Sequence, residues 1–158
     1  MRKVFFIFII LFSIQSVKAQ ENGIALEGAY TYKFLNKSLS QFYLGGVYSY
    51  SSGNRGYSSY DDQFTFGLGT YYGSYKGQEK WIPAASFGYG GGIGLMYKAT
   101  VTTHNVMPSV NLNMFNIAQL GLGYSFGFKK INNVSLSGIC LTINLSLNIF
   151  GHYVNIST

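Results

Sequence analysis

Along most of the chain, large apolar residues occupy every second position. Ile24, Leu26, Tyr30, Tyr32 and Phe34 share one phase, while Ala25, Glu27, Ala29, Thr31 and Lys33 take the other. The same rhythm runs through Phe42, Leu44, Tyr48 and Tyr50, and through Phe64, Phe66, Leu68 and Tyr72. It returns in the stretch 81–101, in Val106, Val110, Leu112 and Met114, and in Leu120, Leu122, Tyr124, Phe126 and Phe128. Ile139, Leu141, Ile143, Leu145 and Leu147 complete the series. Strand side chains point alternately to opposite faces, so each segment has one apolar face and one face of Gly, Ser, Thr, Asn or Gln. Helical spacing fits none of them. Seven strands are predicted, with turns at 35–39, 51–62, 74–80 and 129–133. An even-numbered barrel needs an eighth. It lies either in the tail 151–157 or in the stretch 81–101, split at Gly90, Gly91 and Gly92.

The character of the second face decides the class. A soluble sandwich shows water a face of Lys, Glu, Asp and Arg, whereas this chain is only 10% charged, against about 25% in ordinary domains. A small uncharged face suits the crowded bore of a closed barrel whose apolar side meets lipid, with aromatics gathered towards the strand ends. Closure also leaves no unpaired edge in hydrocarbon. The expected fold is therefore all-β, an antiparallel up-and-down transmembrane β-barrel of eight strands. A soluble exported β-sandwich, with the aromatics as its core, is the competing fold. A hydrophobic content of 47% excludes disorder, and a single cysteine, Cys140, excludes a disulfide scaffold.

Residues 1–19, MRKVFFIFIILFSIQSVKA, start with Arg2 and Lys3, continue in an apolar run and end on Ala19. That is the layout of a signal peptide, leaving 20–158 as one barrel domain. Its nine apolar residues before Ser13 fall short of the roughly 20 that a spanning helix needs. Arg2, Lys3 and Lys18 leave with it, so eight basic groups face five acidic ones in the remainder. Without a clustered basic stripe, nucleic-acid binding has no support.

The signal peptide, the amphipathic strands of roughly ten residues, the inner-phase glycines and a last strand reading GICLTINLSLNIF together resemble the small eight-stranded outer-membrane β-barrel proteins of Gram-negative bacteria. The resemblance covers the whole mature chain. It implies a location in the cell outer membrane, contact with outer-membrane lipid, and insertion by the barrel-assembly machinery. It also implies that Leu141, Ile143, Leu145, Leu147 and Phe150 form the assembly signal, although the chain runs eight residues past Phe150.

Few residues are candidates for chemistry. Glu27 is the only acid inside a predicted strand, on the lumen phase, where a lone carboxylate is costly unless paired. Lys33 and Lys98 share that phase, so a lumen ion pair among Glu27, Lys33 and Lys98 is expected. His104 and His152 lie near strand ends, too far apart in sequence to make a metal signal. Lys129 and Lys130 read as a solvated hairpin tip. The run 88–94, GYGGGIG, lacks the following helix that a phosphate loop requires, so its glycines make room in a narrow bore. Cys140 has no identifiable base. No cofactor is expected.

An eight-stranded interior is filled by its own side chains, which argues against bulk diffusion. The expected role is non-enzymatic, structural or surface-interacting, with the loop 51–62 as the first candidate contact. Three alternatives remain. One is an accessory barrel of a secretion or conjugation assembly. Another is a lipid-modifying enzyme built from His104, Ser58, Ser59, Asp61 and Asp62. The last is the soluble exported sandwich.

Overall fold

The alternating segments are rich in Tyr, Phe, Val, Ile and Thr, whose branched or flat side chains fit a pleated surface. All of them form strands. A computed structural model describes residues 20–34, 39–51, 62–91, 93–114 and 117–153. The signal-peptide segment 1–19 and the loop residues 52–61 lie outside the described residues. The strands are β1 (Gln20–Phe34), β2 (Leu39–Ser51), β3 (Asp62–Tyr75), β4 (Gln78–Gly91), β5 (Ile93–Thr102), β6 (Asn105–Met114), β7 (Ala118–Gly127) and β8 (Gly138–Tyr153). Each pairs antiparallel with its sequence neighbours, and β8 pairs with β1, closing the barrel.

The eighth strand comes from the split near Gly92, not from the tail; the last strand continues instead to Tyr153. The turn expected over 74–80 shrinks to Lys76 and Gly77, because Tyr75 already pairs with Gln78. Both turn residues have positive φ, 53° and 81°, as a two-residue type I′ hairpin requires.

Register fixes the shape. Paired residues lead from Gly23 through Ser49, Thr65, Gly88, Lys98, Ser109, Gly123 and Cys140 back to β1 at Lys33, ten residues further on. With about 3.3 Å per residue and about 4.8 Å between strands, that offset tilts the strands by about 40°. Every residue on this path lies on the lumen phase. Gly, Ser, Thr, Asn and Gln line much of the bore, and most of the large apolar residues stand exposed outside.

The two ends differ. The start of β1, the end of β8 and the strand ends that flank the β2–β3, β4–β5 and β6–β7 connections share the proximal end, so Ser51 and Asp62 lie there with Gln20 and Tyr153. The distal end is sealed by an apolar cap. Leu39, Tyr75, Ile82 and Met107 point in from the strands, and Ile131 and Leu136 fold in from the β7–β8 connection. The solvated tip expected at Lys129 and Lys130 is found, but the residues that follow it turn inward. Lys129 and Lys130 are exposed, but Ile131 is 1% exposed and Leu136 0%. A miniature hairpin, with a bridge between Ile131 and Val134, aims Ile131 inward. Asn132 and Asn133 take its two positive-φ positions. Asn132 Nδ2 then donates to Tyr75 O (3.1 Å) and Gln78 Oε1 (2.9 Å), tying the cap to the β3–β4 hairpin.

Inner-phase glycines make room for an inward tyrosine. The Tyr43 hydroxyl has no hydrogen-bond partner among the described residues, so the ring serves by its volume. It lies over Gly45 and Gly69. A Cβ at Gly69 would sit 2.4 Å from Leu44 O and 2.7 Å from the Tyr43 ring. Backbone cannot step aside as a flexible side chain can. Gly69→Ala is expected to cost about 1–3 kcal/mol, read as a lower urea midpoint of the folded protein. An unchanged midpoint would show that the glycine is not needed for room.

Candidate functional site in the barrel lumen

Glu27 and Lys98 stand on opposite walls of the bore, on β1 and β5, with three strands between them on either side. Their strand neighbours are small: Gly45 and Ser146 beside Glu27, Gly88 and Ser109 beside Lys98. That leaves both side chains free to reach across. Lys98 Nζ donates to Glu27 Oε1 at 2.7 Å, with side-chain exposures of 9% and 3%.

Lys33 does not join them. Six residues along β1, it lies nearer the distal cap, where Nζ donates to Ser125 Oγ at 3.3 Å. Asn105 Nδ2 donates to the same oxygen at 2.7 Å, and Thr102 Oγ1 donates to Asn105 Oδ1 at 2.6 Å. The tilt of the barrel explains the separation. Lys33 is level with Cys140 and Gly123, a full circuit of the bore away from the level of Gly23. The expected three-residue cluster therefore becomes one ion pair and one lysine held in a hydroxyl–amide chain. Sequence phase alone could place Asn105 and Ser125 inside, but not beside Lys33.

The rest of the lumen is a polar core. Thr31 and Thr142 share a hydrogen bond (3.2 Å), Asn144 Nδ2 donates to Gln119 Oε1 (3.2 Å), and Asn111 Nδ2 donates to Ser109 Oγ (3.0 Å). Cys140 is buried in the bore, its Sγ donating to Gly138 O at 3.4 Å. Paired polar groups of this kind rigidify a core and fill it. Chemically, the arrangement neutralises its carboxylate and encloses it.

Of the residues named for a lipid-modifying enzyme, His104 and Asp62 fall among the described residues, and they stand at opposite ends of the barrel. His104 sits in the distal β5–β6 turn, whereas Asp62 begins β3 at the proximal end. Ser58, Ser59 and Asp61 lie outside the described residues, as does the side chain of His152. Among the described residues there is no group of three His, Cys, Asp or Glu that could hold a metal ion. The run 88–94 passes from β4 into β5 with no helix after it. A Cβ at Gly88 would meet Thr65 Oγ1 at 2.4 Å, so this glycine does make room in the bore. Of the expected assembly residues, Leu141, Ile143 and Leu145 are exposed on the outer face of β8 and Leu147 is half-buried. Phe150 pairs with Ile24 along the closing seam; its side chain lies outside the described residues.

His104 offers a measurable probe of the distal end. Partial desolvation, then the charges of Lys129 and Lys80, lower its pKa below the ordinary value. Folded His104 thus holds its proton less tightly than in the unfolded chain. Its small contribution to stability is complete above the ordinary pKa and is lost as the pH falls below it. By NMR, its midpoint is expected below about 6.5 and should rise in Lys129→Gln. A midpoint that ignores that substitution would mean the two groups are not neighbours.

No family model, no curated protein and no solved structure matches this chain.

Proposed function

We propose that this chain is a small outer-membrane β-barrel, exported by its N-terminal signal peptide and set in outer-membrane lipid by the barrel-assembly machinery. Its role is non-enzymatic, structural or surface-interacting. One observation carries the reading: the barrel is inside-out relative to a soluble protein. Leu44, Leu68, Leu95, Leu122 and Ile143 face outward and exposed, while Glu27, Gln41, Asn111, Asn113 and Asn144 are enclosed. Exposed apolar surface on that scale marks an interaction with a membrane or a partner. Hydrocarbon can cover every side of a closed barrel at once.

Aromatics support the depth at which lipid would meet the barrel. Tyr48, Tyr50, Phe64 and Tyr89 stand towards the proximal end, and Phe34, Phe42, Trp81 and Phe128 towards the distal end, as interfacial girdles do. The bore is occupied by its own side chains and capped at one end, which favours a barrel that does not conduct.

Fractionation combined with unboiled and boiled gel migration tests this. The protein is expected in the outer-membrane fraction, with a band that shifts on heating. A soluble protein that does not shift would overturn the reading. A stoichiometric envelope partner on purification would point instead to an accessory barrel. An altered lipid A mass spectrum on deletion would point to a lipid-modifying enzyme.

A further inference from the structure

Among the described residues, the exposed charge at the distal end is mostly positive. Lys76 in the β3–β4 turn, Lys80 on the rim of β4, and Lys129 and Lys130 after β7 are all exposed. Among the described residues the only acidic side chain there is Glu79, which the Tyr72 hydroxyl engages on the outer face. In sequence, the strand starts and the long connection at the proximal end have the opposite balance, with Glu21, Asp61 and Asp62 against Arg55.

The lysines do not sit on independent loops. Asn132 fastens the β7–β8 connection to Tyr75 and Gln78, so the β3–β4 and β7–β8 lysines belong to one surface. The charges of Lys80 and Lys129 both reach His104, which places the β5–β6 turn in the same field. The lysines also adjoin the most exposed aromatics. Lys80 precedes Trp81 (65% exposed) and Lys129 follows Phe128 (66% exposed). Trp81 packs against Tyr72 with ring centroids 4.8 Å apart and the rings tilted by 42°. An aromatic at the edge of the hydrocarbon with a cation one residue beyond it is the arrangement that meets a headgroup layer.

We propose that Lys76, Lys80, Lys129 and Lys130 form a docking surface for the phosphate-bearing headgroups of the lipid leaflet at the distal end. This rests on the membrane reading above. The charge is complementary, and Lys80 and Lys129 each lie one residue beyond an exposed aromatic, on its distal side. Each lysine near an anionic surface contributes about fivefold in binding, so four together give a preference well beyond tenfold over a zwitterionic lipid.

Native mass spectrometry of the detergent-folded full chain, supplied with phosphatidylglycerol or phosphatidylcholine, tests it. At least a tenfold preference for phosphatidylglycerol is expected. It should fall to near parity in the fourfold variant K76Q, K80Q, K129Q and K130Q, and return when the same positions are arginine. The heat-shifted band, measured on each sample, reports whether the barrel itself is intact. A shifting band without lipid preference overturns this proposal and leaves the membrane reading standing; a chain that never shifts overturns both. Millimolar inorganic phosphate should not displace the lipid. If it does, the surface is a site for free phosphate and the lipid assignment is wrong.

Discussion

Glu27→Gln is expected to lower the stability of the folded barrel by about 3–5 kcal/mol, the range for breaking one partner of a buried ion pair. The amide fills the same space but leaves Lys98 as a cation in the bore with no opposing charge, and it is only 9% exposed there. The loss should appear as a lower denaturant midpoint and a lower temperature for the gel shift. Removing both charges, as Glu27→Leu with Lys98→Met, is expected to restore much of the loss, because replacing a whole buried pair with apolar groups is often neutral. A single variant as stable as the parent would mean that the pair does not hold the bore together.

Leu136→Ala should cost about 2–5 kcal/mol, the span for emptying a fully buried leucine site. Leu136 belongs to no strand, so the ladder stays closed and the damage stays at the distal cap. Limited proteolysis separates the two effects. Lys129 and Lys130 offer trypsin two exposed sites beside a segment pinned by Ile131 and Leu136. Cleavage there should be slow in the parent and fast in the variant. Equal cleavage and equal stability in both would remove the cap from the account.

Period-two alternation makes most of the barrel wall readable in the sequence. It assigned Tyr30 and Phe42 outward and Thr31 and Gln41 inward without error, because a buried face specifies register strongly. It is weaker where the phase carries no mark. The β4–β5 turn preserves the phase, with Tyr89 and Tyr97 outward on partner positions, so only the glycines 90–92 signal the break and alternation alone leaves it as one of two places for the eighth strand. The start of β4 looked like turn because Gln78, Glu79 and Lys80 rise above the apolar zone at the rim. Inward aromatics were overlooked as well. Tyr43, Tyr71 and Tyr75 share the phase of Gln41 and Gly73, a signal present in the sequence.

The site was legible only in part, for a geometric reason. Strand phase says that Glu27, Lys33 and Lys98 all face the bore, but not which heights they occupy. Height depends on the offset accumulated around eight strands, and each turn contributes to it. Hence Lys98 reaches Glu27, while Lys33 falls among Ser125, Asn105 and Thr102. Ile131 and Leu136 were the other loss. Two apolar residues in a polar connection signal something to cover, yet nothing local says that the mouth of the barrel is what they cover.

The seam between β1 and β8 constrains how the molecule can be made. Gln20, at the start of β1, pairs with Tyr153, at the end of β8, so the final join links nearly the first strand residue to nearly the last. Contacts so distant in sequence form slowly. Until β8 joins β1 the wall is a curled ribbon with two raw margins, each able to capture a stranger's strand. The barrel is therefore at greatest risk just before closure, and an escort that shields those margins until the last strand docks would protect it most.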